Sequence, residues 1–404
     1  MTYSLLLIKR SVENIFIYPF VLAGRIIARI KPLNKEFRVF FFFPFYHTGG
    51  AEQVHAEIAA ATGGADCIIY FTRVSANHRY LEEFKNSGCQ LKDISKFTDN
   101  KWLFPLNLIF RGIISGYINR QSIRTIVFNG QSNFGYKISP WVNKKVMQLE
   151  LIHALNTFSR IRLPYLEFYK KQITVSQEII DKHVQLYKRY NVAEAIFENF
   201  TWIRSRIHLP GQKTSKDYFA KPLQILFSGR DSIEKRPAIV AQIAKNISGA
   251  GIRASVEFAG DVSKSIPTEL HIYCKFHGDI NDKEELNNLY KKTHILVIPS
   301  TTESGPLVLM EAMAFGAAII STDVGYVPTF VKDGISGYIV KHNDPESTII
   351  RDMTQKILQL DSDRNLLKKM GENNIEIAFE NFDVTQFYQE YRQLFENLLQ
   401  NEAS

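Results

Sequence analysis

The chain has 404 residues, a formal charge of +8, 45% hydrophobic and 22% charged residues; this is a globular composition, too long for one ordinary core and suited to two domains of roughly 200 residues each. Three cysteines, Cys67, Cys89 and Cys274, are far apart in sequence with no Cys-x-x-Cys, which argues against a disulfide framework or a zinc site and for a reducing compartment. The positive charge suits an anionic partner, but no helix-turn-helix, zinc-finger or aromatic RNA-binding motif accompanies it, so nucleic acid is not the expected partner.

Residues 1–36 form a basic, apolar segment. The run Ile15 to Ala23 is apolar apart from Tyr18 and broken by Pro19, short of the roughly 20 residues that span a bilayer. Lys9 and Arg10 follow the first apolar run and no small-x-small cleavage site appears, so it does not read as a signal peptide. Lys9, Arg10, Arg25, Arg29, Lys31 and Lys35 face only Glu13 and Glu36. That balance favours peripheral attachment to the anionic inner face of a membrane; a helix packed on the first domain is the alternative.

From Phe37 the pattern alternates between buried strands and helices. Phe37 to Pro44 suits a central parallel strand, and Tyr46-His47-Thr48-Gly49-Gly50-Ala51-Glu52 is a glycine turn into a helix ending near Ala61. Gly49 and Gly50 thus stand at the carboxyl end of the first strand, where open α/β sheets bind ligands. Further strands are predicted at Cys67 to Phe71, Thr125 to Phe128, Val146 to Leu151, Ile173 to Val175 and Ala195 to Glu198. Phe104 to Arg120 reads as an apolar helix, by its pattern a core helix. His153 lies just past the strand ending at Leu151, a position open to a structural or a ligand-facing role.

The polar stretch 211–221 reads as a linker ended by Pro222. Leu223 to Phe227 is a strand leading into Ser228-Gly229-Arg230 and, further on, Glu234-Lys235-Arg236-Pro237. Strands follow at Ser255 to Ala259 and Ile272 to Phe276, then a helix from Lys283 to Lys292, a strand His294 to Ile298 and the loop Pro299 to Gly305. Pro306 suits the first helical position with Gly305 as cap, so the N–H groups of Leu307 and Val308 point out of a helix end that favours an anion. Glu303 sits at that mouth beside Ser304, and Glu311 lies about 7.5 Å along the helix, leaning back toward its start. Two carboxylates are thereby placed for the two sugars of a nucleotide-sugar. Gly334 and Gly337 mark a turn before Tyr338 to Val340, and the tail carries one stripe of Phe387, Tyr391, Leu394, Phe395 and Leu398.

Glu303 and Glu311 with seven residues between them, Ala312-Met313-Ala314-x-Gly316, Asp323-Val324-Gly325, Gly229-Arg230 with Lys235, and Gly49-Gly50-Ala51-Glu52 together resemble the signature of retaining GT-B glycosyltransferases, the family-4-like group. The resemblance covers roughly Phe37 to Leu399 and is strongest from Leu223 to Val340. It departs at Gly305, Pro306, Ala318 and Tyr326, where Phe, Gly, Pro and Gly are usual. It implies an α/β fold of two doubly wound Rossmann-like domains facing each other across a cleft: an acceptor domain over 37–210, the linker 211–221, a nucleotide-sugar domain over 222–378, and a helix in 379–404 crossing back.

The resemblance also implies roles. Arg230 and Lys235 hold the donor diphosphate and stabilise the charge that collects on it as the glycosidic bond breaks; Glu303 and His153 contact the donor sugar. Glu311 binds the ribose, while Gly49, Gly50, Gly229, Ser304, Gly305, Leu307 and Val308 complete the donor site. The expected activity is metal-independent, retaining transfer from a nucleoside diphosphate sugar, a substrate and not a cofactor, to a glycan or lipid-linked acceptor. That chemistry suits cell-surface polysaccharide synthesis in the cytoplasm or at its membrane face. Metal-dependent glycosyltransferases need an Asp-x-Asp at a strand end, whereas Asp361-Ser362-Asp363 lies between helical stretches and reads as a helix cap. A sugar-nucleotide epimerase of similar architecture and a non-catalytic nucleotide-sugar scaffold are the alternatives.

Overall fold

The structure is a computed structural model that describes residues 2–400. The chain forms two compact units, one of residues up to Arg204 with those from Thr385 on, the other Ser205–Val384.

In the first unit seven strands, β1 Val39–Phe43, β2 Cys67–Phe71, β3 Gln90–Asp93, β4 Ile126–Asn129, β5 Met147–Ile152, β6 Lys171–Thr174 and β7 Phe200–Trp202, form a parallel sheet in the order β3-β2-β1-β4-β5-β6-β7. The order reverses between β1 and β4, which puts the glycine loop after β1 at the switch point. The run Val39–Phe43 is buried on both faces, as a central parallel strand requires. Phe40 and Phe42 pack with Ile114, Ile118 and Phe134. Phe41 turns the other way and stacks on Phe395 of the last helix, 6.2 Å between rings. Phe387, Tyr391 and Phe395, the inner line of the predicted stripe, are buried there.

Four points add to or change the reading of this unit. Ala195 to Glu198 is a 3-10 turn inside Glu194–Asn199, not a strand; Phe197 packs on Tyr187, and the sheet continues with β7. The polar edge strand β3 was not anticipated, because a short edge carries no apolar run to announce it. Cys67 and Cys89, distant in sequence, precede the paired residues Ile68 and Gln90, and both are buried free thiols, as expected for a chain without a disulfide framework.

The fourth concerns the start of the chain. Tyr3–Ile30 is one helix of 28 residues running through Pro19, not a short run broken by it. Pro19 and Ile15, whose carbonyl loses its donor, both lie on the exposed side. The helix packs along Phe104–Asn119 with backbones in near contact. A Cβ at Gly24 would fall 2.1 Å from the Ile109 carbonyl oxygen, and one at Gly112 2.0 Å from that of Val21, so only glycine allows this approach. Tyr3 and Leu6 anchor the first turns against Leu163, Leu166 and Tyr187.

The second unit holds six parallel strands, β8 Leu223–Ser228, β9 Ala254–Ala259, β10 Cys274–Gly278, β11 Ile295–Ile298, β12 Ala318–Thr322 and β13 Gly337–Val340, in the order β10-β9-β8-β11-β12-β13. Here too the order reverses beside the first strand, between β8 and β11. Alternate residues of β8 feed the two cores: Ile225 and Phe227 one face, Leu226 the other.

Residues 211–221 lie inside this unit and do not form a free linker. Tyr218 is buried and donates to the Gly316 carbonyl at 3.0 Å, and Lys216 caps the end of helix Lys283–Lys292 through the carbonyls of Tyr290 and Thr293. The unit boundaries fall instead at Arg204/Ser205 and Val384/Thr385. Asp363 caps the helix Arg364–Asn381 by accepting from the Leu366 N–H at 2.9 Å.

Candidate functional site

In the second unit the loops after β8 and β11 are strapped together. Gly229 donates its N–H to the Ala259 carbonyl at 2.9 Å. Gly260, at φ +124, makes this approach possible, because a Cβ there would lie 2.0 Å from the Gly229 oxygen. Thr301 donates to the Glu234 carbonyl at 2.8 Å. Arg236 takes a left-handed backbone conformation, φ 49, and its guanidinium donates to the carbonyls of Pro299 and Ser300. A non-glycine residue in that region is uncommon and is held here by its partners.

The strapping brings Lys235 to Glu303. Lys235 Nζ lies 2.6 Å from Glu303 Oε1, and Ser300 Oγ donates to the same oxygen at 2.7 Å. The Glu303 side chain is only 9% exposed and that of Lys235 23%, so their attraction is less screened than that of a surface pair. Arg230, at the start of the loop, is exposed and has no hydrogen-bond partner among the described residues.

The helix after β11 runs Leu307–Ala314, with Pro306 as its N-cap in extended conformation and no side-chain cap. It starts one residue later than Pro306, the expected first position, but the N–H groups of Leu307 and Val308 are still those left over. Glu311 Oε2 accepts from Tyr290 Oη at 2.8 Å, and burial raises the carboxyl's pKa above its ordinary value. The unusual residues 305 and 326 meet in space: a Cβ at Gly305 would lie 2.3 Å from the Tyr326 ring. The ring fills the volume that a side chain at 305 would need. Gly325, φ +55, supplies the turn that delivers it, with a Cβ there only 2.8 Å from the Glu303 carbonyl.

In the first unit the loop after β1 is tied down by Tyr46 N–H to Ser75 Oγ and Thr48 N–H to Asn77 Oδ1, both 3.0 Å. Gly49 caps helix Gly50–Thr62, and a Cβ there would lie 2.1 Å from Glu52 Oε2. His153, past β5, is partly buried, and its Nε2 is 2.9 Å from Nε2 of His55 on that helix. Burial holds the pKa of His153 down to about 4 and that of His55 well below its ordinary value. The backbone near His153 is fixed by Glu150 of β5, buried against Arg162 with Nε to Oε2 at 3.0 Å.

The expected residues thus fall in two groups. Gly229, Arg230, Lys235, Glu303, Ser304, Gly305, Leu307, Val308 and Glu311 belong to the second unit; Gly49, Gly50 and His153 belong to the first. Sequence reading missed Tyr290, Ser300 and His55. Ser300 stands three residues before Glu303 in the same loop and was legible as a neighbour; nothing in the spacing links Tyr290 to Glu311 or His55 to His153.

Residues 212–377 match the family described as Glycosyl transferases group 1. Over 89 residues, 22% of this chain and 18% of the other, the chain is 37% identical to a D-inositol 3-phosphate glycosyltransferase of Streptomyces bingchenggensis. It is 28% identical over 125 residues, 31% of this chain and 32% of the other, to the N-acetyl-alpha-D-glucosaminyl L-malate synthase of Bacillus anthracis. The matches to these relatives span less than a third of their lengths. Among solved structures, Anabaena Alr3699/HepE in complex with UDP-glucose superposes with TM-score 0.69 at 16% identity, covering 89% of this chain and 99% of that one. Sucrose-phosphate synthase from Thermosynechococcus elongatus gives 0.66 at 18% identity, covering 89% and 98%. The chain as a whole therefore has the GT-B fold, and its second unit matches the glycosyl transferases group 1 family.

Proposed function

We propose that this chain is a retaining, metal-independent glycosyltransferase that moves a sugar from a nucleoside diphosphate donor to a hydroxyl of a glycan or lipid-linked acceptor. The carrying observation is the strapped loop pair of the second unit, which holds Lys235 against Glu303 beside the uncapped helix start at Leu307. Breaking the glycosidic bond puts negative charge on the leaving diphosphate. Arg230, Lys235 and the N–H groups of Leu307 and Val308 are fixed positive ends for that charge. Glu303 accepts hydroxyls of the sugar and Glu311, oriented by Tyr290, those of the ribose. Retention follows if the acceptor attacks on the face the diphosphate leaves, with the diphosphate taking the acceptor proton. The UDP-glucose complex of the Anabaena neighbour makes UDP-sugars the first donors to try. Turnover in EDTA with a retained anomer, read by proton NMR of the product, is the expected result. Rescue only by manganese would overturn the metal-free reading, an inverted anomer the stereochemistry, and a 4-epimer released without acceptor would favour the epimerase.

A second observation supports a membrane face as the place of that work, in keeping with a family resemblance to enzymes that build glycans on lipid carriers for the cell surface. On helix Tyr3–Ile30 the side toward Phe104–Asn119 carries Val21, Gly24 and Ala28. Ile8, Val12, Ile15, Phe16, Ile26 and Ile30 are exposed, Ile15 at 71% and Phe16 at 75%, and fall within about 100° of one another around the axis. Lys9 and Arg29 edge that stripe. The helix is long and apolar enough to cross a bilayer, but one face is packed against the unit along its length, so it lies along the membrane surface instead. The three free thiols suit the cytoplasmic side. Vesicles of phosphatidylcholine and phosphatidylglycerol should sediment the chain at low salt, release it at high salt, and bind Phe16→Glu less. A chain that stays in the supernatant at low salt would sink this reading.

A further inference from the structure

His55 is buried on helix Gly50–Thr62, its ring stacked on Phe43 at 4.5 Å between centroids. Gly130 closes the other side, since a Cβ there would lie 2.8 Å from His55 Nε2. The only hydrogen bond the His55 ring makes among the described residues is the 2.9 Å contact to His153, and its Nδ1 is buried with no partner. Those facts decide where the protons sit. A proton on His55 Nδ1 would be a buried donor bonded to nothing, the costlier deficit; a bare Nδ1 leaves only an acceptor unmet. His55 therefore carries its proton on Nε2 and donates it to His153. With its Nε2 accepting, neutral His153 must hold its own proton on Nδ1.

We propose that His55 is a positioning residue that fixes His153 as the Nδ1–H tautomer, so that His153 offers an N–H donor to an oxygen of the bound sugar. The tautomer rests on the geometry alone, while the sugar contact rests on the glycosyltransferase reading above. Imidazolium in place of either ring would add a charge that burial opposes. In this arrangement the helix that follows the glycine loop sets the hydrogen-bonding polarity of a residue at the end of β5.

The test is two-bond proton–nitrogen NMR of the full chain at neutral pH, with His153 assigned through the loss of its signals in His153→Gln. The expected wild-type pattern has His153 Nδ1 protonated and Nε2 bare. In His55→Phe, which keeps the stacking on Phe43 without a donor, His153 should shift toward the Nε2–H form; His55→Gln, which restores an N–H at that reach, should return it. Donor kcat/KM should fall about tenfold in His55→Phe and recover in His55→Gln, at unchanged melting temperature. A protonated Nε2 on wild-type His153, or a tautomer indifferent to His55→Phe, would overturn the proposal. Shifted tautomers with unchanged kcat/KM would remove the sugar contact. An absence of transfer by the wild type would instead strike the function reading and leave the NMR outcome standing.

Discussion

The two units share a topology and a switch point beside their first strand, but they fill that point with opposite chemistry. After β8 the loop carries charge: Arg230 is exposed, without a hydrogen-bond partner among the described residues, and Lys235 is bound to Glu303 at 2.6 Å. Around the loop after β1 stand two imidazoles kept neutral, His55 buried and His153 partly so, with His47 and the buried Glu52 approaching each other to 3.9 Å. Fixed charge stabilises charge that grows during a reaction, whereas a neutral pair gives direction to hydrogen bonds without competing for an anion. One doubly wound frame thus supports an electrostatic site and a directional one.

The sharpest way to break that contrast is to remove the charge. Lys235→Ala should lower kcat by about 10²–10³ while changing donor affinity much less, because the charge it meets is greatest in the transition state; a loss within twofold would refute the role. Next comes Glu311→Ala, which should weaken donor binding by about 1.5 to 3 kcal/mol, the value of a hydrogen bond to a charged group. Titration calorimetry reads it, and unchanged affinity would remove Glu311 from the ribose. Tyr290→Phe takes away only the donor that orients Glu311 and should cost about 1 kcal/mol of donor affinity.

A separate expected effect, on folding and not on donor binding or turnover, is on acid stability. His153 and His294 are held at about 4 by burial, below the ordinary 6.5, so on acidification the unfolded chain takes up protons first. Stability is therefore complete above pH 6.5 and is lost as pH falls toward 4, by at most about 1.4 kcal/mol per pH unit for each histidine. In the second unit His294 accepts the Gln224 N–H at 3.0 Å through Nδ1 and donates to the Asp217 carbonyl through Nε2, so protonation breaks a specific bond. Thermal unfolding at pH 7 and 5 should show the loss, and His294→Gln should remove part of it. Identical melting temperatures in the wild type would contradict the neutral state of these rings.

How far the sequence could be read follows the same division. In the second unit the proposed functional groups lie in two loops and the helix that follows the second, each just after an apolar run, so Arg230 with Lys235 and Glu303 with Glu311 were legible once set beside the family's motifs. The pairing of Lys235 with Glu303 was not, since it depends on Arg236 and Thr301 strapping loops that are far apart in sequence. In the first unit β1 and its glycine loop were visible, but His55 looked like any residue of a buried helix. The continuous helix Tyr3–Ile30 was hidden by Pro19, whose cost is bearable on an exposed face. Its close seat depends on Gly24 and Gly112, which read as ordinary helix weaknesses until the two backbones are seen touching. The polar stretch 211–221 looked like a linker because composition does not reveal that Tyr218 has a buried place to go.

The central claim is that the second unit binds a nucleoside diphosphate sugar through Lys235, Glu303 and Glu311. It is tested most directly by thermal stabilisation of the full chain with UDP-, GDP- and ADP-sugars, for the wild type and Glu311→Ala. A ligand that binds only the folded state raises stability by an amount set by its concentration over its dissociation constant. The expected result is that one nucleotide class raises the wild-type melting temperature and loses most of that effect in Glu311→Ala. No stabilisation by any of the three, or the same stabilisation in both proteins, would contradict the claim.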